Sequence, residues 1–185
     1  MTGQILTACE QRMEKQVEFF RGEVSAIRAG RANPALVNDI PVDYYGTSTP
    51  IRQLATVTTP EPRLLVIQPW DKNALKDVER AIMTSDLGIM PNNDGSVIRL
   101  AIPQLTEERR RDLAAMARKK AEESRVAIRN LRRDANDQIR KAEKNGDISE
   151  DEAHRLLGEV QNLTDTHIEQ IDQITADKES EIMEV

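Results

Sequence analysis

The chain has 185 residues, of which 31% are charged and only 3% aromatic, a balance that suits long charged helices better than an ordinary globular core. Its hydrophobic residues, 38% of the total, are scattered singly at helical spacing, so no run of about 20 apolar residues could cross a bilayer and a soluble protein is expected. A formal charge of -6 and a pI near 5.1 argue, as totals, against a nucleic-acid binder.

The opening "MTGQILTACEQRMEK" lacks the basic region, apolar stretch and cleavage site of a secretory signal, and its acidic residues do not suit a mitochondrial presequence, so a cytoplasmic location is expected. From Thr2 to Arg28, Leu6, Cys9, Met13, Val17, Phe20, Val24 and Ile27 recur at steps of three and four, which predicts a first helix with one apolar stripe. Cys9, the single cysteine, falls on that stripe and reads as a buried small hydrophobe. Gly30 and Asn33-Pro34 are expected to end the helix.

Residues 31–104 have a different texture. "VDYYG", "ATVTTP", "RLLVIQP" and "VIRLAIP" are short β-branched runs bounded by turn residues and read as strands. Between them, "DKNALKDVERAIMTSDLG" puts Leu75, Val78, Ala81, Ile82 and Leu87 on one helical face, with Asp71 as cap and Gly88 as stop. Tyr44 and Tyr45 adjoin Gly46 at a hairpin, where one ring should point inward and the other out. "NNDGS" at 92–96 lacks the spaced acidic ligands of a calcium loop and reads as a hairpin turn.

A second long helix opens at "LTEERRRDL" with Thr106 as N-cap, and its stripe follows Leu113, Ala117, Ala121, Ser124, Ile128, Leu131, Ala135, Ile139 and Ala142 to a stop at Gly146. A third opens with Ser149 and Glu152 as a capping box and continues through Leu157, Val160, Leu163, His167, Ile171, Ile174 and Ile182, with the final "ADKESEIMEV" expected to fray. The expected architecture is α+β: an elongated antiparallel three-helix bundle from 1–30 and 105–185, with a small β/α/β domain, 31–104, inserted in it. The two chain crossings, at Gly30, Asn33 and Pro34 and at Pro103, Gln104, Leu105 and Thr106, form a candidate hinge.

Total charge conceals an asymmetry. Residues 106–144 carry 13 basic and 8 acidic side chains, net +5, whereas 147–185 carry 2 basic and 12 acidic, net -10. At 100° per residue Arg118, Arg125, Arg129, Arg132 and Arg140 lie within about 40° of one line, with Arg133 just beyond. Two readings stay open: a solvated face paired with the acidic third helix, or a phosphate-binding face. Exposed ion pairs contribute only about 0–1 kcal/mol each, and the guanidinium fork matches phosphate oxygens, which favours weighing the second seriously. Arg28 and Arg31 could extend that surface. No P-loop, Gly-rich dinucleotide turn, Ser-centred elbow or metal-binding His-Glu helix occurs, so neither an enzyme nor a cofactor or metal site is expected.

With these residues laid out, "IRAGRANP" at 27–34, "DYYGTSTPIRQLA" at 43–55, "SDLG" at 85–88, "IRLAIPQLTEERR" at 98–110 and "RNLRRDAND" at 129–137 make the chain resemble the bacterial ribosome recycling factor family over its whole length. The third helix and residues 112–124 match mainly in pattern, and Ala29 stands where threonine is commoner. The resemblance implies an L-shaped two-domain arrangement and a translation factor that binds the large ribosomal subunit and its ribosomal RNA after termination. With elongation factor G and its GTP hydrolysis, such a factor splits the subunits and frees mRNA and deacylated tRNA. It also implies RNA contacts from Arg110, Arg129, Arg132 and Arg133, with Arg28 and Arg31 at the hinge end, and a monomer that uses neither membrane nor DNA. The competing expectation is a helical adaptor whose charged bundle binds protein partners.

Overall fold

A computed structural model describes residues 2–184. The chain forms two compact units, Met1–Ala29 with Thr106–Val185, and Gly30–Leu105.

The first unit contains three helices: α1 (Thr2–Ser25), α3 (Glu107–Lys144) and α4 (Glu150–Met183). Their partners run in opposite order along the chain. Arg118 meets Glu179 and Arg125 meets Asp172, while Arg12 meets Asp134 and Glu23 meets Lys120, so α3 is antiparallel to both neighbours. The core is one thin column in which Met13, Val17, Phe20, Ile128, Ile139, Leu156, Val160 and Ile171 are almost completely buried. Thr106 Oγ1 accepts the Arg109 N–H at 3.1 Å and starts α3. Gly146, at φ +79°, ends it, with the Gly146 and Asp147 N–H groups donating to the carbonyls of Glu143 and Ala142.

Several sequence-based expectations change here. α1 stops at Ser25, not Arg28. The Ser25 hydroxyl donates to the Arg21 carbonyl, and the backbone tightens so that Ile27 N–H reaches Val24. Ser149 Oγ does accept the Glu152 N–H, but the Glu152 carboxylate turns to Arg155, so the capping box is one-sided. The buried line of α4 runs Ala153, Leu156, Val160, Thr164, His167, Ile171, Thr175, Lys178 and Ile182, while Leu157, Leu163 and Ile174 flank it half-buried. Sequence periodicity missed this line because Thr164 and Thr175 hide their polarity by donating to the Val160 and Ile171 carbonyls, and Lys178 buries its stem while its amine meets Glu181. The last turn does not fray as far as Met183, because Ile182 is fully buried; Val185 lies outside the described residues.

The second unit holds the hairpin β1 (Pro41–Tyr44) and β2 (Thr47–Pro50), and an antiparallel sheet of β3 (Ala55–Glu61), β4 (Leu64–Pro69), β5 (Asn92–Asn93) and β6 (Ile98–Ala101) in the order β3-β4-β6-β5. Alternation sends Leu65 and Ile67 of β4 and Ile98 and Leu100 of β6 into a core shared with Leu75, Val78 and Ile82 of α2 (Leu75–Thr84). Asp71 caps a preceding 3-10 turn, Lys72–Ala74, by accepting the Asn73 N–H. α2 ends at Thr84, short of Gly88, because Ser85 turns extended and its N–H returns to Ala81 and Ile82. Tyr45 lies in the hairpin turn itself at φ +48°, followed by Gly46 at φ +79°. Its ring is exposed, whereas Tyr44 is half-buried and donates to Asp71 at 3.0 Å. "NNDGS" forms the β5–β6 turn, with Asp94 Oδ1 accepting the Ser96 and Val97 N–H groups.

Candidate nucleic-acid interface

The arginines of α3 stand along the edge of its seam with α4, and the two halves of the row differ. Toward the start of the helix, Arg118 pairs with Glu179 of α4. Arg125 donates from Nε to Asp172 Oδ1 at 2.8 Å and from one terminal nitrogen to Glu122 at 2.8 Å, leaving 22% of its side chain exposed. Burial works against its charge, but hydrogen bonds to Asp172 and Glu122 prevail and raise its pKa. Glu122 is in turn held below the ordinary glutamate range by hydrogen bonds from Arg125 and then Arg129. These arginines are structural clamps between α3 and α4 or along α3.

Further along, the arginines make no ion pair with α4 among the described residues. Arg129 meets only Glu122 of its own helix, at 3.3 Å, with 39% of its side chain exposed. Arg132 donates to the neutral Gln161 at 3.3 Å and Arg133 to Asn130 at 3.3 Å. Arg140 is exposed and has no ion pair or hydrogen bond from its side chain among the described residues. Four guanidinium groups within three turns of helix therefore keep donors for an outside acceptor. Charge-assisted, forked hydrogen bonds to phosphate are the chemistry such a group supports.

The remaining residues singled out in the sequence lie elsewhere. Arg110 is in the first turn of α3, about 28 Å along the axis from Arg129, half-buried, with Nε sealed and unpartnered. Arg28 and Arg31 are exposed, just beyond the end of α1. Of the crossing residues, Gly30 takes φ +75° and a Cβ there would lie 2.9 Å from Leu105 Cγ. Asn33 caps the 3-10 turn Pro34–Leu36, and Ala32 N–H is already bonded to the Pro62 carbonyl, so Asn33 and Pro34 are tied into the second unit. Pro103 and Gln104 are exposed and irregular, and Leu105 is half-buried. Sequence reasoning overlooked Glu122, although its spacing of three to Arg125 is a standard pairing on one helix face. It also overlooked Asp172, Glu179, Gln161 and Asn136, for which only the α3–α4 register gives a signal.

These features define a class: a two-unit α+β protein whose three-helix bundle presents a partly open arginine edge. The family model described as "Ribosome recycling factor" matches residues 20–183. Ribosome-recycling factors of Geobacillus kaustophilus (strain HTA426) and Bacillus subtilis (strain 168) are 57% and 51% identical to the chain, each over 100% of both sequences. The solution structure of a ribosome recycling factor superposes with a TM-score of 0.79 at 44% identity, covering 100% of this chain and 98% of that one. A second match, at TM-score 0.66, 46% identity and full coverage of both chains, comes from models of the T. thermophilus ribosome recycling factor and the E. coli elongation factor G bound to the E. coli post-termination complex. The chain belongs to the ribosome recycling factor family.

Proposed function

We propose that this chain binds the post-termination ribosome through ribosomal RNA of the large subunit and, together with elongation factor G and GTP hydrolysis by that partner, separates the subunits and releases mRNA and deacylated tRNA. It acts as a monomer in the cytoplasm, catalyses no reaction itself and needs no cofactor, membrane or DNA. The observation that carries the RNA contact is the later stretch of α3, where Arg129, Arg132, Arg133 and Arg140 make no ion pair with α4. Arg28, Arg31 and Arg110 add outlying contacts. An acidic remainder limits adhesion to arbitrary RNA and leaves one edge attractive.

Gly30, Leu105 and the segment Pro103–Thr106 serve as the hinge through which force from the translocating partner reaches the bundle. Insertion of a few glycines between Pro103 and Thr106 is expected to preserve large-subunit binding and to slow subunit splitting. Splitting at the normal rate would remove that junction from the force path.

The adaptor reading draws support from one observation, the pairing of Arg118 and Arg125 with α4. Sedimentation with isolated large subunits separates the two. The double reversal R129E/R132E is expected to abolish cosedimentation while lowering the melting temperature only slightly, through loss of the exposed Arg129–Glu122 pair, and wild-type binding should weaken steeply with salt as the gain from counterion release shrinks. Undiminished cosedimentation of the double variant would leave the adaptor reading standing.

A further inference from the structure

Among the described residues, two side-chain polar atoms are sealed from water without a hydrogen-bond partner: Arg110 Nε and Asn136 Oδ1. Asn136 stands inside the open arginine segment, one turn after Arg132 and one turn before Arg140, about 6 Å along the axis from each. Asparagine is a poor helix former in mid-helix, and here its amide makes no bond within the chain to compensate. Carrying the side chain outward to a ligand therefore breaks no hydrogen bond.

The flanking arginines can only donate. Of the other amides that meet these arginines, Gln161 is occupied on both ends, accepting from Arg132 and donating to Asp165, and the Asn130 oxygen accepts from Arg133. Asn136 is thus the group here that is free to accept as well as donate. In an RNA helix the 2′-hydroxyls line the shallow groove beside the phosphates, and each is a donor and an acceptor. We propose that Asn136 hydrogen-bonds a ribose 2′-hydroxyl while Arg132 and Arg140, one turn to either side, hold phosphates, so that this edge selects RNA over DNA. The inference rests on the RNA-binding reading above.

Sedimentation of the full chain with large subunits across a salt series tests it, comparing wild type, N136A and R132A. N136A should weaken binding about fivefold at every salt concentration, leave the salt slope unchanged and leave the melting temperature equal or higher. R132A should weaken binding and lower the slope by about 1. Wild-type affinity in N136A, or lost affinity accompanied by a lower melting temperature, overturns the role given to Asn136. If R132A also binds like wild type, the RNA-binding reading itself fails. Displacement from large subunits by an RNA duplex and by the DNA duplex of the same sequence decides the ligand class. RNA should compete about fivefold better against wild type and lose that advantage against N136A, whereas equal displacement of wild type by both overturns the 2′-hydroxyl assignment.

Discussion

Glu122 draws two arginines of its own helix together, and its carboxyl is held below the ordinary value of 4.5 by hydrogen bonds from Arg125 and Arg129. A carboxyl depressed by folding contributes stability that is present above its unfolded pKa and lost as the pH falls through its lower folded value. Wild type should therefore lose melting temperature between about pH 5 and pH 3 more steeply than E122Q, with the two converging at the acid end. Parallel curves across that range would show that Glu122 is not the linked group. Gly30 poses a different constraint: its φ of +75° and the 2.9 Å that would separate Leu105 Cγ from a Cβ at this position both oppose a side chain. G30A should cost about 1–3 kcal/mol in chemical denaturation, with L105A restoring only the part due to the contact. Gly22 lies in α1 with nothing within 4 Å of an added Cβ, so G22A should stabilise by about 1 kcal/mol. The positive φ at Gly30 was foreseeable from its place after a helix, but its neighbour Leu105 was not, since 75 residues of chain separate them.

Among the elements, α4 shows where periodicity succeeds and where it misleads. Ile171 and Ile182 announce the buried line correctly, yet Leu157, Leu163 and Ile174 suggested a line displaced toward one flank. The true line passes through Leu156, Thr164, Thr175 and Lys178, and three of these are polar types that hydropathy assigns to the surface. Truncation distinguishes the two lines. L156A should lose about 2–5 kcal/mol, the range for a buried leucine, and L157A distinctly less. Equal losses in urea denaturation would return Leu157 to the core. The same burial argument governs the C-terminus, where Ile182 is fully enclosed and I182A should destabilise the bundle by about 2–5 kcal/mol. The start of α3 and the turn after it were legible because Thr106 and Gly146 act through local backbone geometry. The early end of α1 was not, because a serine hydroxyl competing for a carbonyl leaves no mark distinct from any other helical serine.

Across the molecule, each unit has its own core, and that division was readable from the change between helical spacing and short β-branched runs at both ends of residues 31–104. The arginine edge was readable as a row, but not as two halves. Whether a given arginine faces Asp172, Glu179 or the neutral Gln161 depends on the register of α3 against α4, which neither helix states alone. That register divides the row: Arg118 and Arg125 join helices, whereas Arg129, Arg132, Arg133 and Arg140 make no ion pair with α4 and are the ones assigned to RNA in the proposed function. The most direct test compares two double variants, R118A/R125A and R129A/R132A, for thermal melting and for binding to isolated large ribosomal subunits at fixed salt. The first pair should melt distinctly lower and bind within about twofold of wild type, and the second, losing only the exposed Arg129–Glu122 pair, should lose less melting temperature than the first and bind at least about tenfold more weakly, two phosphate contacts having been lost. The reverse assignment, with binding lost in R118A/R125A and retained in R129A/R132A, would contradict the account.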